Sequence, residues 1–418
     1  MNNASSAGYG FDSPTSTESG TPIPTPSTSR ASTISQSSST NIPPGPLNLT
    51  PLSTTSWRQP YPSIGQFAAT DSEEVVAAGP NGLFYFRRVR DLAATPWSEP
   101  RPIPSAQVAL NELTVSGLAL YSGYDSQDRS RLYLYCVSGG VLYSFYLTDK
   151  DNSSFLPDTS HPLAGRKVTG KPTVVKSSSN TLGSSDRWSL VVPCQSGGLL
   201  HTSTTALRSI EPDLPFSMNS KSCNNSASTE WEDADHLVTD LGIISAVSVT
   251  AVHNSIGDTT DSKTELVAVC ISRGQLNVVQ GPFREDDSSG WKWEGKTSTR
   301  ILHPGEVTGN PVLITDRNHD KNQLDLLVPS AERGIFHFVR TQSAPNDWHM
   351  IGRVAFPQNI PPASCLSFHC RRITSKTRVL HALIQICGRL YHLQTVSNEL
   401  PWYNARLEPI VQPGPFFE

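Results

Sequence analysis

Charge is scarce in this chain. Asp, Glu, Lys and Arg make up 17% of its 418 residues, and the formal net charge at pH 7 is −4. No run of Lys or Arg supplies the positive surface with which proteins neutralise phosphates, so we expect neither nucleic acid nor membrane as a partner. No apolar stretch approaches the roughly 18 residues of a membrane-spanning helix, and the beginning of the chain lacks the apolar core of a signal peptide. These absences predict a cytoplasmic protein.

The short motifs of common chemistries are also missing. The sequence contains no G-x-S-x-G, no H-E-x-x-H, no phosphate-binding glycine loop and no C-x-x-C pair, and its eleven histidines are scattered. We therefore expect neither a metal centre nor a cofactor.

The cysteines do not form an obvious disulfide framework. There are seven, and three of them, Cys136, Cys194 and Cys270, lie four residues before a recurring glycine, where other repeats have Ala, Ser or Ile. A free Cys packs as a small hydrophobic residue. This column predicts packed thiols, which suits an intracellular protein.

The first 56 residues differ from the rest of the chain. Residues 1–56 are dominated by Ser, Thr, Pro, Asn and Gly and have almost no aromatic residues. Such a segment buries too little apolar surface to offset its ordering entropy, so it is predicted to be a disordered tail.

The remainder of the chain, residues 57–418, repeats six times. An apolar run precedes each of six glycines, and the second residue after each glycine is Phe or Leu, which is typical of a β-hairpin. The glycines are Gly82, Gly140, Gly198, Gly274, Gly334 and Gly388. An aromatic residue opens a further strand downstream of each: Trp97, Phe155, Trp231, Trp291 or Trp293, Trp348 and Trp402. A shorter strand precedes each apolar run, twice with the sequence T-G-x-P, at 169–172 and 308–311. Four antiparallel strands per repeat predict an all-β, six-bladed propeller.

The start of the repeated region predicts how the ring closes. Residues 57–64 resemble the segment that begins at Trp97, which makes them an extra copy of the fourth strand. Because an open sheet edge is a liability, we expect 57–64 to lie against the last blade beside the segment starting at Trp402.

Three side-chain patterns each have a structural and a functional interpretation. The aromatic residues that open the fourth strands could stack on sugars. We favour the interpretation that they fill the space between blades, because no Arg or Glu recurs at a fixed offset from them. Asp316–Asp325 resembles the calcium loop of integrin-type repeats, but Lys321 replaces the turn glycine and the last Asp is one residue late, so a solvated loop is favoured. His201 and His337 share a column with Tyr and Asn, which indicates a structural polar position.

The first strand of each blade lines the central hole of a propeller. The corresponding column is Gln66, Leu118, Lys171, Val247, Asn310 and Cys365. An apolar cavity with a few polar groups is typical of a ligand site. We therefore predict Lys171, Asn310 and Gln66 as catalytic hydrogen-bonding groups and Leu118, Val247 and Cys365 as substrate-binding residues. The insertion at 206–230 is long enough to form a lid.

The blade signature, G-x-[LF]-[YHN] followed by an aromatic residue, resembles that of fungal and bacterial propeller lectins across 57–418, although the fucose-binding residues of those lectins do not map onto this sequence. The six-bladed layout and the tail also resemble the fungal hetero-Diels–Alderase family of tropolone-sesquiterpenoid biosynthesis. That second resemblance implies a cofactor-free secondary-metabolism enzyme that aligns a small-molecule substrate for cycloaddition. We predict this activity, with a carbohydrate-binding lectin as the alternative and a protein-interaction scaffold as a third possibility. We expect a monomer or a weak oligomer.

Overall fold

The computed structural model describes residues 48–49 and most of residues 66–409, within the compact unit Pro43–Glu418. The gaps of three or more residues are 71–73, 89–96, 104–114, 125–129, 148–154, 178–186, 205–230, 255–262, 287–289, 316–322, 357–360, 373–377 and 397–405, and a few single residues and pairs are also left out. The described residues contain no helix of the length and hydropathy needed to cross a membrane.

The described strands form six sheets, each corresponding to one sequence repeat, and the strands within each repeat pair antiparallel. A short strand, β1 (Asn48–Leu49), precedes them. Blade 1 consists of β2 (Phe67–Ala69), β3 (Glu74–Gly79), β4 (Gly82–Arg87) and β5 (Arg101–Pro102). Blade 2 consists of β6 (Val115–Tyr124), β7 (Ser130–Ser138), β8 (Val141–Leu147) and β9 (Phe155–Pro157). Blade 3 consists of β10 (Thr173–Ser177), β11 (Arg187–Pro193), β12 (Leu199–Ser203) and β13 (Asp235–Leu237).

The second half of the chain continues the same order. Blade 4 consists of β14 (Ala246–Asn254), β15 (Lys263–Ser272), β16 (Gln275–Asp286), β17 (Gly290–Trp293) and β18 (Lys296–Ile301), and both β17 and β18 pair with β16. Blade 5 consists of β19 (Val312–Thr315), β20 (Leu324–Ser330), β21 (Gly334–Arg340) and β22 (His349–Ala355). Blade 6 consists of β23 (Cys365–Arg372), β24 (Arg378–Ile386), β25 (Arg389–Val396) and β26 (Arg406–Pro409). The predicted six-bladed propeller is confirmed.

The middle strands of a blade are buried on both faces. In blade 5, every residue of β20 and β21 is buried, including those that point to opposite sides of the sheet. Each blade is sandwiched between two neighbours, so both faces of its sheet need apolar side chains. This is why the sequence shows continuous apolar runs before the glycines rather than strict alternation.

Packing between neighbouring blades closes the ring. Six hydrophobic clusters are present among the described residues, and each joins two adjacent blades. The cluster at the closure joins Leu383 and Leu390 of blade 6 to Phe67, Val75 and Phe86 of blade 1.

The outer edge of blade 6 carries an added strand. β1 pairs in parallel with β26, with Asn48 opposite Arg406 and Leu49 opposite Leu407. These two residues belong to the segment predicted as a tail. Both the predicted closing segment 57–64 and its expected neighbour Trp402 lie outside the described residues.

Candidate functional site

The inner strands of neighbouring blades are tied together where they begin. In the two T-G-x-P copies, the hydroxyl of the threonine donates to a carbonyl oxygen of the next blade's entry. Thr169 Oγ1 lies 3.1 Å from Ile244 O, and Thr308 Oγ1 lies 2.9 Å from Ala363 O. The repeated motif therefore reflects one repeated contact between blades.

The glycines of this motif allow backbones to meet. A Cβ atom on Gly170 would collide with Ser245 O, and one on Gly309 would collide with Ser364 O. Gly170 also has a φ of +66°, a conformation that favours glycine. The inner strands of blades 3 and 4, and of blades 5 and 6, therefore approach one another backbone to backbone.

The three predicted catalytic residues form two contacts between inner strands. The ammonium of Lys171, from blade 3, donates to Leu366 O of the opposite blade 6 at 3.3 Å. The Asn310 amide, from blade 5, donates from Nδ2 to Gln66 Oε1 of blade 1 at 3.1 Å. Blades 5 and 1 flank blade 6, so one contact ends on blade 6 and the other joins its two neighbours. We call Lys171, Asn310 and Gln66 the axial cluster.

The predicted substrate-binding residues do not join them. Leu118 and Val247 are fully buried and belong to the hydrophobic clusters between blades 1 and 2 and between blades 3 and 4. In this conformation neither presents surface to the central hole. Cys365 begins β23, and its side chain is outside the described part of the chain, as is the insertion at 206–230.

The aromatic column fills the space between blades. Phe155 of blade 2 contacts Tyr85 of blade 1, with ring centroids 6.2 Å apart, and Trp293 of blade 4 contacts His201 of blade 3 at 6.1 Å. Trp97 contacts His392 across the closure at 6.3 Å. The structural interpretation of these three aromatic residues is confirmed.

The buried cysteines are packed thiols. Cys136, Cys194 and Cys270 are free and buried, as predicted. Burial raises the pKa of both Cys136 and Cys270 to about 12, because the apolar surroundings disfavour the thiolate. Neither thiol is therefore a nucleophile near neutral pH.

The histidine column is structural. His337 Nε2 lies 2.8 Å from Asp325 Oδ1, and both side chains are buried. The His201 ring packs edge-on against Phe283 at 5.6 Å, and desolvation lowers the pKa of His201 to about 4, which keeps it neutral.

The candidate calcium loop is only partly described. Its last carboxylate, Asp325, accepts a hydrogen bond from Gln323 Nε2 at 3.3 Å in addition to the contact with His337. Residues 316–322 lie outside the described residues. Across the described ranges, no group of three or more His, Cys, Asp or Glu side chains is arranged to hold a metal ion.

A second polar cluster lies where the chain passes from blade 4 to blade 5. We call His303, Glu332, Phe336 and Arg353 the His303 cluster. The linker from blade 4 lies beside the hairpin turn of blade 5, since Ala331 N donates to Glu306 O at 2.8 Å. This places the linker imidazole next to two elements of blade 5, the hairpin and the fourth strand.

Two nitrogens of the His303 cluster are buried without a hydrogen-bond partner among the described residues. His303 Nδ1 donates to Gly305 O at 3.4 Å, which leaves His303 Nε2 as an unpaired acceptor. The Arg353 guanidinium lies 5.1 Å from the centre of the Phe336 ring and bonds through Nη2 to Glu332 O, but Arg353 Nε is unpaired. Desolvation lowers the pKa of His303, partly offset by its bond to Gly305.

The surroundings of the His303 cluster are mixed in character. Glu332 is exposed, and its side chain lies against Gly305. A Cβ atom on Gly305 would lie 2.6 Å from Glu332 Cγ. Leu302, the residue before the imidazole, is 84% exposed. The cluster thus combines a cation, a carboxylate, a neutral imidazole and exposed apolar surface.

The sequence contains a signal for this cluster. His161-Pro162 and His303-Pro304 both stand upstream of a V-T-G-x-P segment, so the two linkers are copies of one pattern. In both copies Nε2 of the imidazole is buried without a hydrogen-bond partner, but the surroundings of the two rings differ. His161 is fully buried against Tyr135 and Trp231, and its Nδ1 accepts from Leu163 N at 3.2 Å. Glu332 and Arg353 carry no such signal, because they come from different strands and turns.

Comparisons with known proteins agree on the fold. No protein-family model and no curated protein matches the chain. Among solved structures, a triple arginine-to-alanine mutant of AofleA from Arthrobotrys oligospora is 10% identical, with a TM-score of 0.53, over 85% of this chain and 89% of that chain. A variant of the Aleuria aurantia lectin in complex with α-methyl-L-fucoside is 12% identical, with a TM-score of 0.48, over 85% of this chain and 97% of that chain. The likeness to AofleA supports the propeller fold.

Proposed function

We propose that the protein binds a neutral carbohydrate, or a ligand equally rich in hydroxyl groups, at the His303 cluster. The observation that carries this proposal is the pair of unpaired nitrogens, His303 Nε2 and Arg353 Nε, beside the exposed carboxylate of Glu332. A buried polar group without a partner costs about 1–3 kcal/mol, and native proteins keep few of them. Tyr135 OH and His161 Nε2 form a comparable pair, but both of those residues are enclosed, whereas the His303 cluster borders the exposed Glu332. We therefore attribute the His303 pair to a ligand that supplies the missing bonds.

The cluster matches the hydrogen-bonding capacity of a sugar hydroxyl, which both donates and accepts. Arg353 offers a donor, whereas His303 Nε2 and the Glu332 carboxylate offer acceptors. The positive and negative charges balance, so a neutral ligand meets no net repulsion. Leu302, which precedes His303 in the chain, is apolar and exposed.

Access to the buried nitrogens requires a small movement. Glu332 is the exposed side chain that lies against Gly305, the residue bonded to His303. We propose that this side chain moves aside when a ligand enters.

Cycloaddition in the central hole is less well supported. Leu118 and Val247 pack between blades rather than around a dry cavity. A preorganised pocket of the kind that aligns two reactants is therefore not evident among the described residues.

The test is a glycan array followed by titration of the best ligand. Arg353→Met and Glu332→Gln should each weaken binding by about 10- to 100-fold, because each removes hydrogen bonds that involve a charged group. Arg166→Met is the matched control, since Arg166 is an exposed arginine on the equivalent linker between blades 2 and 3; it should bind as the wild type does. A silent array, or a ligand that binds Arg353→Met unchanged, would remove this proposal.

A further inference from the structure

A lysine crosses the axis of the propeller without meeting a carboxylate. Lys171 is partly buried, and its Nζ bonds to the carbonyl oxygen of Leu366 at 3.3 Å. Among the described residues it forms no ion pair. An ammonium group has three donors, so two remain after this single, long hydrogen bond to an uncharged acceptor.

An amide donor stands at the same level of the ring. Asn310 uses one N–H of Nδ2 to bond Gln66 Oε1 at 3.1 Å and retains the other. Lys171 and Asn310 occupy equivalent positions in the two T-G-x-P copies, so their side chains leave the backbone at the same depth. The close approach of the inner strands at Gly170 and Gly309 holds both of them near the axis.

We propose that the axial cluster binds a small monocarboxylate. The donor set is one ammonium and one amide, which matches the single charge and two oxygens of a carboxylate. The hole is narrowed by backbone contacts between blades, which favours a small ion over a large one. This site is distinct from the His303 cluster and does not depend on carbohydrate binding.

The experiment uses the full chain with sodium acetate as the probe and sodium chloride at equal ionic strength as the reference. We expect acetate to raise the melting temperature and to show saturable binding by NMR saturation transfer. Lys171→Met should weaken acetate binding by about 10- to 100-fold, because it removes the charged donor. Lys171→Arg keeps the charge and should retain binding.

Two further variants secure the interpretation. Lys167→Met is the control, since Lys167 is an exposed lysine on the same linker, and it should bind acetate normally. Asn310→Asp preserves the side-chain size but adds a negative charge, so it should weaken acetate binding. It provides an independent test in case Lys171→Met folds poorly. Equal effects of acetate and chloride on the wild type would overturn the proposal. So would unchanged acetate binding by both Lys171→Met and Asn310→Asp, which would make the lysine a structural link between opposite blades.

Discussion

Three glycine-to-alanine substitutions separate two reasons for glycine in the linkers and in the inner strands that follow them. Gly165 has a φ of +75° with no atom within 4 Å of an added Cβ, so it tests backbone strain alone. Gly309 does not have a positive φ, but its added Cβ would collide with Ser364 O, so it tests the contact between blades alone. Gly170 combines a φ of +66° with a collision against Ser245 O.

The expected costs follow from these geometries. Left-handed backbone costs a non-glycine residue about 1–2 kcal/mol, and forcing atoms into a packed site costs about 1–3 kcal/mol. The reduced entropy of the unfolded chain returns about 0.4–1 kcal/mol in each variant. Gly165→Ala should therefore be destabilising by up to about 1.6 kcal/mol, Gly309→Ala by up to about 2.6 kcal/mol, and Gly170→Ala by about 1–4.6 kcal/mol.

Urea unfolding followed by tryptophan fluorescence measures these differences from the midpoint and slope of each transition. The ranking is the informative result. If Gly170→Ala is no less stable than Gly165→Ala, then the backbone contact between blades 3 and 4 does not constrain the fold. If Gly309→Ala also behaves as the wild type, the argument that the inner strands form a closely packed ring is wrong.

The remaining predictions concern titration, thiol reactivity and calcium. The pKa of His201 is about 4 in the folded protein and 6.5 in the unfolded chain, so the free energy of unfolding should decrease as pH drops from 6.5 to 4. Urea midpoints measured across this range should decrease less steeply with falling pH for His201→Tyr than for the wild type. An equal pH dependence in the two proteins would contradict a buried, neutral His201. Native protein at pH 8 should leave Cys136 and Cys270 unmodified by iodoacetamide, whereas urea-unfolded protein should be alkylated at both, as read by peptide mass spectrometry. EDTA should leave the melting temperature unchanged; a large drop restored by Ca²⁺ would show that the segment Asp316–Asp325 binds calcium.

Repetition allowed the fold to be predicted from the sequence. A hairpin needs a turn residue between two apolar strands, and this requirement recurs in every blade whatever its other residues are. The burial of Cys136 and Cys270 was predictable for the same reason. Each occupies the position four residues before the repeated glycine, where every repeat fills the same packed space. The aromatic residues that separate the blades follow from the equivalence of Phe155 and Trp293.

Side-chain direction at the axis was decided only by the tertiary structure. Lys171 and Leu118 occupy the same repeat position, yet the first extends across the hole and the second packs between blades 1 and 2. A long side chain with a polar end can reach a carbonyl on the opposite blade, whereas a short apolar one gains more by burial against its neighbour. The shared position could not reveal this difference.

The His303 cluster depends even more on assembly. His303, Glu332 and Arg353 are about 20 residues or more apart and belong to a linker, a hairpin turn and a fourth strand. The sequence determined each of these elements through local patterns of turns and apolar residues. Only the pairing of strands and the stacking of blades brought one polar residue from each element to the same place, because no local pattern links residues that meet through packing.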